Sequence, residues 1–238
     1  MGGALPDLAE QRAVERLSEL LNSIAEAWKP GAQLTLCSDG HVFADLVGVA
    51  DADVDRYRET LVALIDDPRI AWFDLTTAFN EARPAAMRKL LMERYGEDDV
   101  AFRARAAKSP LLGTQLDGIH RFLFEDEVVL RPELTRSQAK KQTRERAYEV
   151  VRRSEAWGAL VGAVFPEALR LSIHPQPDPS TKIGVNLLGV RDAWLTPWHA
   201  SAVVNRTGTT LMHRAEAEAL GAVIVQENGR PSHLELPR

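Results

Sequence analysis

The sequence predicts an α/β fold, a mixed sheet flanked by helices with a helical insertion in the middle of the chain. Three observations carry that prediction. Apolar runs at 33–38 and 70–74 bracket a helical pattern, the order of a βαβ unit with a parallel strand pair and a right-handed crossover. From Pro84 to about Phe165 the spacing is helical and strand signals are absent. The last third returns to strands, at 168–173, 183–188, 199–204, 208–212 and 222–226. The strands 33–38, 70–74, 168–173 and 183–188 are expected to share one sheet. With 238 residues the chain can bury a substantial core, and it reads as one domain over 1–238 with 83–165 as its helical layer.

Each element has a local cause. Leu17, Leu20, Leu21, Ile24 and Trp28 recur on one face of a helix over 7–28, which Lys29-Pro30-Gly31 ends. Asp51 is the expected N-cap of a second helix carrying Val54, Tyr57, Leu61, Leu64 and Ile65, and Asp66-Asp67-Pro68 stops it. The longest helix is expected from Thr135, whose spacing to Gln138 is that of a capping box. Thr143, Ala147, Val150, Val151, Trp157, Leu160 and Val164 mark its inner face. Between 131 and 155 stand eight basic and four acidic residues, either a solvated helix face or a basic flank on an anion site. Asn205-Arg206-Thr207 turns two late strands into a hairpin, and a helix at 214–220 runs into Gly221.

Composition excludes several classes. A net charge of −5 gives no global attraction to nucleic acid or anionic membranes. No apolar run approaches 18 residues, and MGGALPDLAE lacks the basic and apolar regions of a secretory signal. The single cysteine, Cys37, has no internal disulfide partner, reads as a buried inert thiol, and fits a reducing cytoplasm. The histidines show no metal-ligand spacing, so no metal is expected. Walker A, GxGxxG and GxSxG motifs are missing as well, which disfavours NTPases, nicotinamide enzymes and α/β-hydrolases.

Two polar clusters follow strand-like runs, an arrangement that suits a ligand crevice at strand ends. The first is Ser38-Asp39-Gly40-His41-Val42-Phe43-Ala44-Asp45. If 41–45 is extended, His41, Phe43 and Asp45 share a face, and an imidazole with a carboxylate makes an acid/base pair. The competing assignment has Asp39 and Asp45 serving only as turn and helix caps. The second cluster places Arg170, Ser172 and His174 at period-two spacing before Pro175 and Gln176, with Lys182 entering the next strand. Arg, Ser and His together on one strand need a polar partner. Trp194 to His199 adds two tryptophans and a histidine at a strand entrance, Trp198 and His199 among them, for packing or for lining an apolar pocket.

These segments resemble the pyoverdine/dityrosine biosynthesis family, the isonitrile (isocyanide) synthases. The matching text is LPDLAE at 5–10, CSDGHVFADLVGV at 37–49, YGEDD at 95–99, GIHRFLFED at 118–126, RSEAW at 153–157, RLSIHPQ at 170–176, KIGVNLL at 182–188, WLTPWHA at 194–200, AEALGA at 217–222 and GRPSHLEL at 229–236. The resemblance implies a Rossmann-like α/β enzyme of secondary metabolism that turns the α-amino group of tyrosine or tryptophan into an isonitrile. It implies ribulose 5-phosphate as carbon donor, no cofactor, and a downstream Fe(II)/2-oxoglutarate oxygenase as pathway partner. It gives His174, Asp39, Asp45 and Lys182 catalytic roles, and substrate-binding roles to Ser38, His41, Arg170, Ser172, Gln176, Trp198 and His199. Two departures from the family pattern stand out. The family's usual N-terminal region precedes LPDLAE, where this chain nearly begins, and His41 stands where many relatives have arginine. The alternative expectation is therefore a truncated homologue that binds a ligand or partner without turnover.

Overall fold

The computed structural model describes residues 5–174, 181–188, 195–197 and 200–237. It shows a mixed α/β chain that separates into two compact units. The first comprises Met1–Leu36, Asp55–Trp72 and Glu167–Arg238, and the second Cys37–Val54 and Phe73–Pro166.

The first unit opens with α1 (Leu8–Ala27), where Asp7 and Glu10 form a complete capping box. Trp28 is the C-cap residue and exposed, so it leaves the apolar face on which spacing placed it, because the helix ends one residue earlier. Ala13, Leu17 and Leu21 pack with Ile70 and Leu187, and with Leu34, Leu36, Ile173 and Val185 at the margin. The strands β1 (Leu34–Cys37) and β2 (Ile70–Phe73) pair with each other. Leu34 N–H donates to the Arg69 carbonyl and Ser38 N–H to that of Phe73, both at 2.9 Å. Donor and acceptor advance together, so the pair is parallel, as expected. Between the two strands run α2 (Gly40–Val47) and α3 (Asp51–Ala63). Asp51 is the first helical residue of α3 rather than its N-cap. Cys37 is exposed at the end of β1, not buried, because the strand's apolar run stops there.

Later in the first unit, β3 (Arg170–Ser172) pairs in parallel with β4 (Lys182–Gly184). A four-stranded sheet follows, with order β6-β5-β8-β7, built from β5 (Ser201–Asn205), β6 (Gly208–Met212), β7 (Val223–Glu227) and β8 (Arg230–Glu235). It is mixed, since β5 and β8 run parallel while both outer pairs are antiparallel hairpins. Val203 and Leu234, at its centre, pack with Ala217 of the short helix over 214–219. Gly221 takes a left-handed φ of 83° after that helix. Sequence reading missed β8. Hydrogen bonds among the described residues form three sheets, so β1–β2 and β3–β4 do not join in the single sheet expected. Both β3 and β4 are only three residues long, shorter than the runs read at 168–173 and 183–188.

The second unit is helical beyond the end of β2. Asp74 caps α4 (Leu75–Phe79), accepting from Thr77 N–H at 3.0 Å. Then come α5 (Pro84–Tyr95), α6 (Asp99–Ala106), α7 (Pro110–Leu130) and α8 (Arg136–Val164). The Thr135/Gln138 capping box is present at the start of α8. Its buried residues include Thr143, Ala147, Val151, Trp157 and Leu160, as spacing implied, whereas Val164 is exposed. Trp157 stacks on Phe73 with ring centroids 5.8 Å apart, inside a core with Val42, Leu75, Met87 and Leu91. Among the described residues, no helix is long and apolar enough to cross a membrane.

Candidate functional site

The two polar clusters fall in different units, and the second unit holds Ser38, Asp39, His41 and Asp45. The run 40–47 is helical, so the extended arrangement of 41–45 is replaced by an i,i+4 relation between His41 and Asp45. In the helix Val42 and Leu46 share one face at i,i+4 spacing, while His41 and Ala44 are buried on other sides, so α2 is enclosed by its own unit on more than one face. Gly40 is required by packing, since a Cβ there would lie 2.8 Å from Val54 Cγ1 of α3. Gly48 closes α2 with a left-handed φ of 74°, its N–H donating to the Ala44 carbonyl. Asp39 takes the N-cap position of α2 without a capping bond from its side chain. His41 is buried, with 3% of its surface exposed, and its carbonyl accepts from Arg88.

Asp45 sits in the last turn of α2, where the helix dipole disfavours a carboxylate. Arg153 of α8 compensates with hydrogen bonds of 2.6 and 3.0 Å to its two oxygens. Arg88 of α5 approaches it to 3.6 Å and binds Asp51 at 2.8 and 3.1 Å. Those hydrogen bonds, more than the charges of Arg88 and His41, hold the Asp51 carboxyl below its ordinary range. A cleft of about 290 Å³ opens here, lined by Asp45, Arg88, Lys89, Glu149, Arg152 and Arg153 among others. Its cations are answered by carboxylates: Arg152 by Glu149 and Lys89 by Glu93, in addition to the pairs already named. Along 131–155, Arg131, Arg144, Arg146, Arg152 and Arg153 pair with carboxylates, so much of this stretch is a laced helix surface.

The first unit holds Arg170, Ser172, His174 and Lys182. The register sets Arg170 opposite Lys182 and Ser172 opposite Gly184. Residues opposite one another in a pleated pair share a face, so two cations lie side by side there with Ser172. Leu171 and Ile183 take the other face. His174 stands two residues beyond β3, where its backbone N–H donates to Ser172 Oγ at 3.2 Å. The hydroxyl thus fixes the chain at the point where the imidazole begins. Val185 N–H extends the pairing to the Ser172 carbonyl at 2.8 Å. Beside these residues a cavity of about 10 Å³ is lined by Ile173, Val185, Asn186, Leu195, Thr196 and Leu211 among others, room for one water rather than an aromatic ring. Gln176, Trp198 and His199 lie outside the described residues.

Sequence reasoning missed Arg88 and Arg153, which position Asp45, and no local signal joins residues 108 apart in sequence. It also missed Glu10, whose carboxyl is buried, accepts from Tyr57 Oη at 2.7 Å, and is pushed by that burial up to about 7.

A family model described as pyoverdine/dityrosine biosynthesis protein matches residues 1–224. L-tryptophan isonitrile synthase AmbI2 of Fischerella ambigua is 38% identical over 97% of this chain and 71% of its own length. An L-tyrosine isonitrile synthase of Pseudomonas aeruginosa is 40% identical over 98% of this chain and 73% of its own. The crystal structure of the PvcA protein from Pseudomonas aeruginosa is similar with a TM-score of 0.86 at 39% identity, covering 97% of this chain and 76% of that one.

Proposed function

The chain belongs to the pyoverdine/dityrosine biosynthesis family, and on that footing we propose that it is an isonitrile synthase acting on an aromatic L-amino acid, tyrosine or tryptophan. The observation that carries the reading is the similarity at 38–40% identity, along nearly the whole chain, to relatives named as isonitrile synthases of those two amino acids. The Rossmann-like architecture, the cytoplasmic setting, ribulose 5-phosphate as carbon donor and a later Fe(II)/2-oxoglutarate oxygenase belong to the same proposal.

The chemistry assigns work to residues. The amine attacks the ketone and water leaves as the imine forms; for that one carbon to stay on nitrogen, both carbon–carbon bonds of the former ketone carbon must break, the rest of the sugar departing as fragments. Each step moves protons, work for an imidazole whose reference pKa is about 6.5, and His174 is our choice. The juxtaposed Arg170 and Lys182 bind the phosphate or carboxylate, as cations do through charge-assisted hydrogen bonds. Ser172 holds the strand end, while Asp45 serves mainly to anchor α2. The test is mass spectrometry of the product from L-tyrosine or L-tryptophan with ribulose 5-phosphate. An isonitrile carrying label from the sugar is expected. No isonitrile from either amino acid overturns the activity, and unlabelled isonitrile overturns the donor.

A further inference from the structure

The helix α7 buries Leu112, Leu116, Leu123 and Glu127 and packs along α8. A second face of α7 carries large apolar side chains with no cover: Leu111 is 72% exposed, Phe122 51% and Val129 77%. At 3.6 residues per turn these three fall within about 20° of one line along the helix, roughly 27 Å long. Gly118 lies on the same line, and a Cβ there would meet nothing within 4 Å, so the stripe has a notch beside Phe122. None of the residues given a chemical role lies on this helix.

We propose that this stripe is a self-association surface on which α7 of a second copy packs antiparallel. The positions are symmetric in a way that only an antiparallel two-fold uses. Residues 111 and 129 share the midpoint 120, and so do 118 and 122. A two-fold centred there sets Leu111 on Val129 of the second copy and drops the Phe122 ring into the notch at Gly118. Every apolar position thereby meets a complementary one, twice, as an isologous interface requires.

The flanks agree in charge. In an antiparallel pair, the same flank of each helix faces itself. On one flank Gln115 then meets Asp126 of the second copy, an amide donor beside a carboxylate; on the other Glu125 meets Thr114, whose hydroxyl already donates to the Pro110 carbonyl at 3.1 Å. Arg121 lies near the axis but about 80° from the line of the stripe, at its outer edge. A parallel pairing instead stacks Phe122 on Phe122 and sets Glu125 beside Asp126 of the second copy, leaving the notch empty. One helix pair buries less than the roughly 1,600 Å² of a standard interface, so association is expected in the micromolar range.

Sedimentation velocity on the full chain, from about 2 to about 200 µM, should show a reversible monomer–dimer equilibrium. Phe122→Glu and Val129→Lys each change an exposed side chain, so thermal melting of the diluted monomer should not move. Phe122→Glu, beside the two-fold axis, should weaken the dimer at least about tenfold, and Val129→Lys, at the end of the stripe, should weaken it by less. In a Cys37→Ser background, Leu111→Cys should cross-link with Val129→Cys in a mixture and neither should cross-link alone. A chain monomeric throughout, a dimer indifferent to Phe122→Glu, or Leu111→Cys cross-linking to itself overturns the proposal. The first of these outcomes leaves the stripe to a different kind of partner. The readout is assembly state, so it is independent of whether the chain makes an isonitrile.

Discussion

In the second unit Arg88, Arg152 and Arg153 each meet a carboxylate at hydrogen-bonding distance, whereas in the first unit strand register sets Arg170 beside Lys182. The two arrangements cost different things. Opposite charges around α2 compensate one another and fix a helix. Like charges opposite each other on neighbouring strands are destabilising unless an anion answers them. The comparison therefore sets a network of opposite charges that fixes α2 against two like charges that strand register places on one face, which the proposed function gives to a substrate anion. Sequence alone ranked both clusters as chemistry. Carboxylates divide in the same way, since burial holds Glu10 of the first unit up to about 7 while Arg88 holds Asp51 of the second low.

The largest expected effect tests whether the first unit carries the proton chemistry. His174→Gln keeps a hydrogen-bonding side chain and removes the titration, so turnover should fall about 10²-fold. The backbone N–H that reaches Ser172 Oγ is retained, so the melting temperature should hold. A stable variant running at the parent rate returns His174 to a structural role.

Next comes the cation pair. Arg170→Ala should raise the apparent KM for the sugar phosphate more than tenfold, since a charge-assisted hydrogen bond contributes roughly 1.5–3 kcal/mol. Unchanged KM values for both substrates remove Arg170 from the site and erase the contrast between the units.

Where the signal is local, the fold is readable from sequence. The capping box at Thr135 and Gln138 and the periodic leucines of α1 announce their helices directly. The strand β8 was legible too and went unread. Asn228 and Gly229 form a two-residue turn with φ of 53° and 76°, the pattern of an Asn-Gly type I′ hairpin. The segment 41–45 is harder, because five residues with two adjacent apolar ones fit a period of 2 or of 3.6. Burial of adjacent His41 and Val42 together with Ala44 and Leu46, on more than one side of α2, goes with the helix, and that is tertiary information. The same holds for Cys37, which local hydrophobicity marks as buried and the strand end exposes. At the candidate site, residue types were legible in RLSIHPQ, but the register that pairs Arg170 with Lys182 was not. Register depends on which strands pair, and no spacing in one strand states it.

Glu10 gives a test on pH. Its carboxyl is raised from 4.5 to about 7, chiefly by burial, so the folded state favours the protonated form. That contribution is complete below about pH 4.5 and is lost as pH rises through about 7. Glu10→Gln mimics the protonated form and still accepts from the Asp7 N–H, 2.8 Å from Oε2 in the parent. Relative to the parent, the variant should therefore gain about 1–3 kcal/mol between pH 5 and pH 8, read from paired melting curves. A difference that does not change with pH would mean that Glu10 ionises without penalty and that the contrast with Asp51 is absent.

The smallest expected effect sits on Asp45, where the comparison is sharpest. Asp45 is 40% exposed at its side chain and binds Arg153, which is only 14% exposed. Removing the carboxylate leaves a mostly buried guanidinium with one remaining acceptor, the Val42 carbonyl at 3.1 Å. The cost expected for Asp45→Ala is about 1 kcal/mol, above a surface ion pair's usual worth because Arg153 loses its counter-charge away from solvent. In a chain of this length that lowers the melting temperature by about 2–4 °C. Arg153→Ala should cost a similar amount, and the double variant should cost less than the two single changes added together, because both act on one contact. Turnover in Asp45→Ala should stay within about threefold of the parent, since an anchor of α2 carries no proton for the reaction. If instead turnover falls about 10²-fold while the melting temperature is unmoved, Asp45 is an acid/base group, and the network in the second unit exists to tune it.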